Sequence, residues 1–175
     1  ESFNRQYGRK YRSIMPTNLY GPNDNFHPEN SHVLPGLIGR FHNAVSKNLD
    51  EVIIWGSGNP KREFLHVDDL AEACLFVLNL DYRKISNYVG EMSSHINVGT
   101  GVDHSISEIA EMIAKISGFD GKITYDSSKP DGTPRKLLDV SLISSLGWSH
   151  GIGVEEGLQS TYEWFEENIG SHRES

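Results

Sequence analysis

Leu34, Leu37, Ile38, Phe41 and Val45 gather on one side of a helical wheel at about 100° per residue, which predicts a packed helix starting in SHVLPGLIGRFH, residues 31–42. His32, Gly36 and Arg40 lie beside that apolar face, four residues apart each time. A second apolar helix is predicted to begin at Asp68 and Asp69 and run to about Leu80, its acidic start complementing the helix N-terminal dipole. Ile106, Ile109, Ala110 and Ile113 form the face of a third, with Ser105 and Glu108 as a capping box and Gly118 as its stop. VSLISSLG predicts a short helix, and Val154, Leu158, Tyr162, Phe165 and Ile169 mark a final amphipathic one.

Between these lie short runs rich in β-branched and aromatic residues: Tyr11–Met15, EVIIWG, EFLHV, HINVG and KITYD, all read as strands. Residues 20–31, 81–94 and the stretch SSKPDGTPRK have turn and loop composition. Strands alternating with helices predict an α/β chain, its early strand in a parallel sheet and its later pieces in a smaller lid-like unit. Glu1–Tyr7 reads as the tail of a helix, so further chain is expected before Glu1.

With 175 residues the chain has the size of one domain or slightly more. Its net charge of −8 and lack of a long basic run argue against general nucleic-acid or anionic-membrane binding, while leaving room for a local cationic pocket. The one cysteine, Cys74, excludes an internal disulfide or a cysteine zinc site and is compatible with a reducing cytoplasm. Its place in DDLAEACLFVLNL reads as core. No signal peptide or run of about 18 apolar residues is present.

Three polar stretches carry candidate chemistry. PTNLYGP stands at a strand end, where α/β proteins place ligands. PKREFLHVDD sets Arg62 just before a strand, and SKPDGTPRK concentrates Lys129, Asp131, Arg135 and Lys136 in one loop. Singly, each reads as an ordinary turn, a solvated arginine or a charged loop. With the 32–40 stripe they supply cations for a diphosphate, a carboxylate for ribose hydroxyls, and Trp55 for stacking on a base or covering a sugar. A metal site from His27, His32 and His42 is disfavoured because no compact ligand spacing supports it.

The stretches MPTNLYGPNDNFHPENSHVLPGLIGRFH, WGSGNPKREFLHVDDLA, HINVGTG and SKPDGTPRKLLDV resemble the carboxy-terminal part of the GDP-L-fucose synthase family, 3,5-epimerase-4-reductases among the extended short-chain dehydrogenases/reductases. YGP and REFLHVDD are shared widely by nucleotide-sugar epimerases and dehydratases, whereas NDNFHPENSHVLPGLI with KPDGTPRK is similar to this family in particular. The resemblance covers nearly the whole chain. It implies a Rossmann-type strand and helix in residues 1–31, and a substrate domain in 32–175 with some segments returning to the Rossmann sheet. It implies conversion of GDP-4-keto-6-deoxy-D-mannose to GDP-L-fucose with NADP(H), by a cytoplasmic homodimer. Pro16, Thr17, Asn18 and Leu19 match the segment beside the nicotinamide, and His32 matches the epimerisation acid that also touches the cofactor. Arg40, Trp55, Arg62 and Asp131 match GDP-sugar contacts.

The family's amino-terminal half is not matched: no glycine-rich dinucleotide fingerprint follows a strand, and the GTG at 99–101 is short enough to be only a turn. The family's Ser, its Tyr/Lys pair and its epimerase Cys are expected upstream of Glu1, so the chain reads as a fragment that is inactive alone. Tyr125 and Lys129 have the pair's spacing, but YDSSKP reads as strand end and loop, where the two cannot share a helical face. Two alternatives stay open: an extended-family epimerase or reductase for a different nucleotide sugar, and a noncatalytic sugar-nucleotide-binding module.

Overall fold

The computed structural model describes residues 2–86, 88 and 95–169. A short helix α1 (Ser2–Tyr7) leads into strand β1 (Ser13–Pro16), which lies parallel to β5 (His95–Val98) with Ser13 opposite His95 and Pro16 opposite Val98. Immediately after β1 the chain enters β2 (Asn18–Tyr20) and pairs parallel with the second half of β4 (Lys61–His66). The first half of β4 is flanked on both edges, antiparallel by β6 (Asp103–Ser105) and parallel by the two-residue β8 (Arg135–Lys136). A third, parallel pair joins β3 (Glu51–Trp55) to β7 (Lys122–Asp126).

Strand β4 divides the hydrophobic interior. Successive side chains of a strand point to opposite faces, so Phe64 packs in one core with α2 (Val33–Ser46), β3, α5 (Ile106–Ser117) and α7 (Val154–Glu167). Leu65 packs in the other, with Ile96 and Val98 of β5, Ala73 and Val77 of α3 (Val67–Asn79), and Ile143 of α6 (Ser141–Ser145). The expected elements form, and their departures have local reasons. The loop expected at 81–94 contains a one-turn helix α4 (Tyr82–Ser86), with residues 87 and 89–94 outside the described set. Strands β6 and β8 escape prediction because they are short and polar, held by the two edges of β4 rather than by an apolar face of their own.

Helix α5 ends as its sequence dictates. Ser105 accepts from the Glu108 N–H at 3.1 Å, Glu108 accepts from the Ser105 N–H at 2.7 Å, and Gly118 closes the helix at φ +73°. In α2, Leu34, Leu37, Ile38 and Phe41 are buried, while Val45 is exposed and Ala44 takes the buried place expected of it. Ile169 likewise lies past the end of α7 and is exposed.

Cys74 is not a core residue. The buried stripe of α3 runs through Asp69, Ala73 and Val77, four residues apart, and Cys74 sits one position round the helix from it, exposed beside Leu75 and Leu78. Asp69 does more than face the helix dipole. Its buried carboxylate accepts from the backbone N–H groups of Gly151 and Ile152 at 2.8 and 3.1 Å, tying α3 to the approach of α7.

Candidate nucleotide-sugar site

Helix α2 and the end of β3 form two sides of a cleft of about 370 Å³. His32 is the N-cap of α2 rather than a residue of its first turn; its side chain makes no capping bond and stays exposed, facing the cleft. Pro35 fits within the first turn because its missing N–H would have no partner there. Gly36 lies on the cleft wall one turn on, where the nearest atom to an added Cβ is the Ser31 hydroxyl at 2.9 Å. Arg40 lines the same wall another turn along. The stripe of the sequence is therefore one edge of a cavity.

The opposite side comes from residues distant in sequence: Ile54 and Trp55 of β3, Gly58, Arg62 of β4, and the loop residues Pro130, Asp131 and Gly132. Trp55 is 63% exposed, and two cations approach its ring, the Arg40 guanidinium at 5.0 Å and the Lys129 ammonium at 5.6 Å. Arg62 donates from Nη1 to the carbonyls of Lys61 and Thr133 at 2.7 and 2.6 Å, which fixes its fork against the 127–134 loop. A guanidinium carries five donors, so such anchoring leaves others for an anion. Arg40 and Arg62 thus bring two fixed positive charges to one cleft of a chain whose net charge is −8.

Asp131 also reaches this cleft, but its carboxylate has a protein partner. Oδ1 accepts from the Ser57 N–H at 2.8 Å and Oδ2 from the Ser57 hydroxyl at 2.7 Å, and these two bonds hold its pKa below the usual carboxylate value. Nothing in the sequence links positions 57 and 131 except the glycines flanking Ser57. Asp24, in the loop before α2, is not part of the cleft lining. Burial raises its pKa, against the smaller opposing effects of the Asn25 N–H and the charge of nearby His32.

The expected cofactor-side residues Pro16, Thr17, Asn18 and Leu19 stand apart from the cleft lining, where β1 passes into β2. The Thr17 N–H donates to Val98 at 3.0 Å, and the Asn18 side-chain amide donates to the Glu63 carbonyl at 2.8 Å. This fixes the segment at the carboxyl end of a parallel strand, the position where open α/β sheets bind ligands, with Asn18 exposed. Glu63, a residue not singled out in the sequence, is completely buried, its carbonyl on this segment and its carboxylate on the 99–101 turn.

The other sequence candidates resolve plainly. Tyr125 sits in β7 and Lys129 in the following loop, so the two share no helix. The 99–101 GTG is a turn, and it closes around the carboxylate of Glu63. His42 is engaged with Tyr162 at 3.1 Å and His27 with the Glu29 N–H at 3.1 Å; among the described residues no group of three or more His, Cys, Asp or Glu is arranged to hold a metal. Among the described residues no helix is long and apolar enough to cross a membrane.

Residues 1–99 match the NAD dependent epimerase/dehydratase family. Over 168 residues the chain is 60% identical to GDP-L-fucose synthase of Escherichia coli (strain K12), covering 96% of this chain and 52% of that one. It is 50% identical to GDP-L-fucose synthase 1 of Arabidopsis thaliana, over 97% of this chain and 50% of that one. A crystal structure of a GDP-L-fucose synthetase from Naegleria fowleri bound to NADP superposes with a TM-score of 0.81 at 29% identity, over 93% of this chain and 49% of that one. The chain spans about half the length of the curated relatives it matches. The expected α/β class and the likeness to extended short-chain dehydrogenases/reductases both hold.

Proposed function

Because this chain belongs to the NAD dependent epimerase/dehydratase family, we propose that it supplies the GDP-sugar-binding part of a GDP-L-fucose synthase, which epimerises GDP-4-keto-6-deoxy-D-mannose at the two carbons beside its ketone and reduces the ketone. The observation that carries this reading is the convergence of His32, Arg40, Trp55, Arg62 and Asp131, from four separate segments, on one cleft. Two guanidiniums suit a diphosphate through charge-assisted, bidentate bonds. Trp55 offers a ring face, and Asp131 retains lone pairs outward of its Ser57 bonds for a hydroxyl donor.

The chemistry follows from the substrate class. A proton on a carbon beside a ketone is acidic because the carbanion left behind delocalises onto the carbonyl oxygen, so removal on one face and return on the other inverts the centre. An imidazole can both hold and give up a proton, and His32 on the cleft edge would return that proton to the sugar. NADP(H) fits the Pro16–Leu19 strand end, where exposed Asn18 and the backbone of β2 would face the nicotinamide, and when bound it supplies the hydride for the ketone. A cytoplasmic homodimer accompanies this reading.

Isothermal titration of the chain with GDP tests it. We expect saturable binding that Arg62→Ala weakens by about 1.5–3 kcal/mol, the range for a hydrogen bond to a charged group. Equal affinity for UDP or dTDP would favour an enzyme of a different nucleotide sugar, and no binding of any nucleotide would refute the site.

A further inference from the structure

The turn Gly56–Gly58 is built to bring one side chain against the 127–134 loop. Gly56 has φ +82° and a Cβ there would overlap Asp131 Oδ1; Gly58 has φ +77° and a Cβ there would overlap the Tyr125 ring. Neither position tolerates a side chain, so Ser57 is the turn's only polar arm. It donates twice to Asp131, from backbone and hydroxyl, and its hydroxyl also accepts from the Asn59 N–H at 3.2 Å. The turn is thereby made rigid around the same oxygen that grips the loop.

The loop needs that grip. At its start Lys129 N–H donates to Asp126 at 3.2 Å; at its end Thr133 accepts from Arg62, and the Lys61 N–H donates to Pro134 at 2.8 Å. Between these points Pro130, Asp131 and Gly132 form the cleft wall while remaining solvent-exposed, with no apolar side chain seating them in the core. We propose that Ser57 is a positioning residue of the nucleotide site: through Asp131 it fastens the 127–134 loop as a strap across the cleft, and so sets nucleotide affinity without touching the nucleotide.

The inference rests on the GDP-sugar reading and deepens it. Without the Ser57 hydroxyl, one backbone N–H alone holds Asp131, so the carboxylate can swing about that single bond, and Gly132 and the Lys129 ammonium over Trp55 lose their fixed places. The cleft then binds a nucleotide only after ordering the strap, an entropic cost that appears as lost affinity.

The test uses the 175-residue chain with GDP as probe. Ser57→Ala is expected to weaken GDP binding about tenfold while the melting temperature stays close to that of the parent, because the strap lies outside both cores. In an Asp131→Ala background the same substitution should cause no further loss, since the latch is already open. In the ligand-free chain, a carboxyl titration by NMR should show Asp131 moving part of the way up toward the ordinary value in Ser57→Ala, because the backbone N–H bond stays and the hydroxyl bond is lost. Unchanged GDP affinity in Ser57→Ala, an equal loss in the Asp131→Ala background, or an unmoved Asp131 titration would each overturn the proposal. Failure of the parent chain to bind GDP refutes the GDP-sugar reading, and the assignment of Ser57 falls with it even where the titration shows the latch to exist.

Discussion

The carboxylate of Glu63, with no exposed surface, accepts the backbone N–H of Gly101 at 2.7 Å, so that an acidic residue in mid-strand becomes the peg around which the 99–101 turn is wound. Its second oxygen accepts the Leu138 N–H at 3.0 Å, and its carbonyl accepts from Asn18. One residue thus joins the strand end proposed for the cofactor to the strand that carries Arg62.

Glu63→Ala should therefore be among the most destabilising single changes in the chain. It removes the buried carboxylate that accepts from the part-buried Gly101 and Leu138 N–H groups, and a loss of about 2–4 kcal/mol is expected from urea unfolding, two hydrogen bonds to a charged group being lost together. Gly99→Ala should be destabilising too, because a Cβ at 99 would overlap the same carboxylate. A Glu63→Ala chain as stable as the parent would remove the peg from the account.

Arg12 should prove to be the cap of α3. Its guanidinium donates to the carbonyl of Val77, to Leu78 at 2.8 Å and to Leu80 at 2.6 Å, the carbonyls that a helix end leaves unpaired. Arg12→Ala is expected to cost about 1–2 kcal/mol. Amide exchange should quicken in the last turn of α3, with α5 unaffected; uniform quickening would indicate a global effect instead.

The capping box of α5 gives a pH-dependent prediction. Bonds from the Ser105 backbone and hydroxyl hold the Glu108 pKa below its ordinary value. The folded state therefore favours the carboxylate, and the stability this brings is fully present above the unfolded pKa of about 4.3 and lost as pH falls through the lower folded value. Ser105→Ala should cost about 1 kcal/mol at pH 7. The gap between variant and parent should narrow below pH 4; a gap constant down to pH 3 would show that Glu108 takes no part.

Legibility in the sequence followed the range of the interaction. The α5 cap and stop were readable because Ser105, Glu108 and Gly118 act within one helix, and the α2 stripe because its spacing alone places His32, Gly36 and Arg40 on one edge. Cys74 was misplaced because a helix rich in apolar residues all round does not reveal which stripe is buried until its neighbours are known. Glu63, Asp69 and Ser57 act on distant partners 37 or more, 82 or more, and 74 residues away, and a charged or hydroxyl side chain carries no mark of such a partner. The glycines were the only local trace: Gly56, Gly58 and Gly99 each stand where another segment comes too close for a Cβ.

His32 should serve proton transfer more than nucleotide affinity. It sits at the mouth of α2 with an exposed ring that caps nothing, while Arg40 stands eight residues on, about 12 Å along the helix axis at 1.5 Å per residue. A nucleotide sugar lying along that edge, its diphosphate near Arg40, would present its sugar to the imidazole. His32→Asn in the intact enzyme should then slow solvent-deuterium incorporation at the carbons beside the ketone by about 100-fold or more, the weight of general acid–base catalysis. Asparagine keeps a polar side chain at the N-cap, where it is a preferred residue, so the helix should remain formed. GDP affinity should stay within about twofold of the parent, since the diphosphate contacts are untouched. Exchange at the parent's rate would take His32 out of the mechanism, whereas loss of both exchange and GDP binding would place it among the nucleotide's anchors.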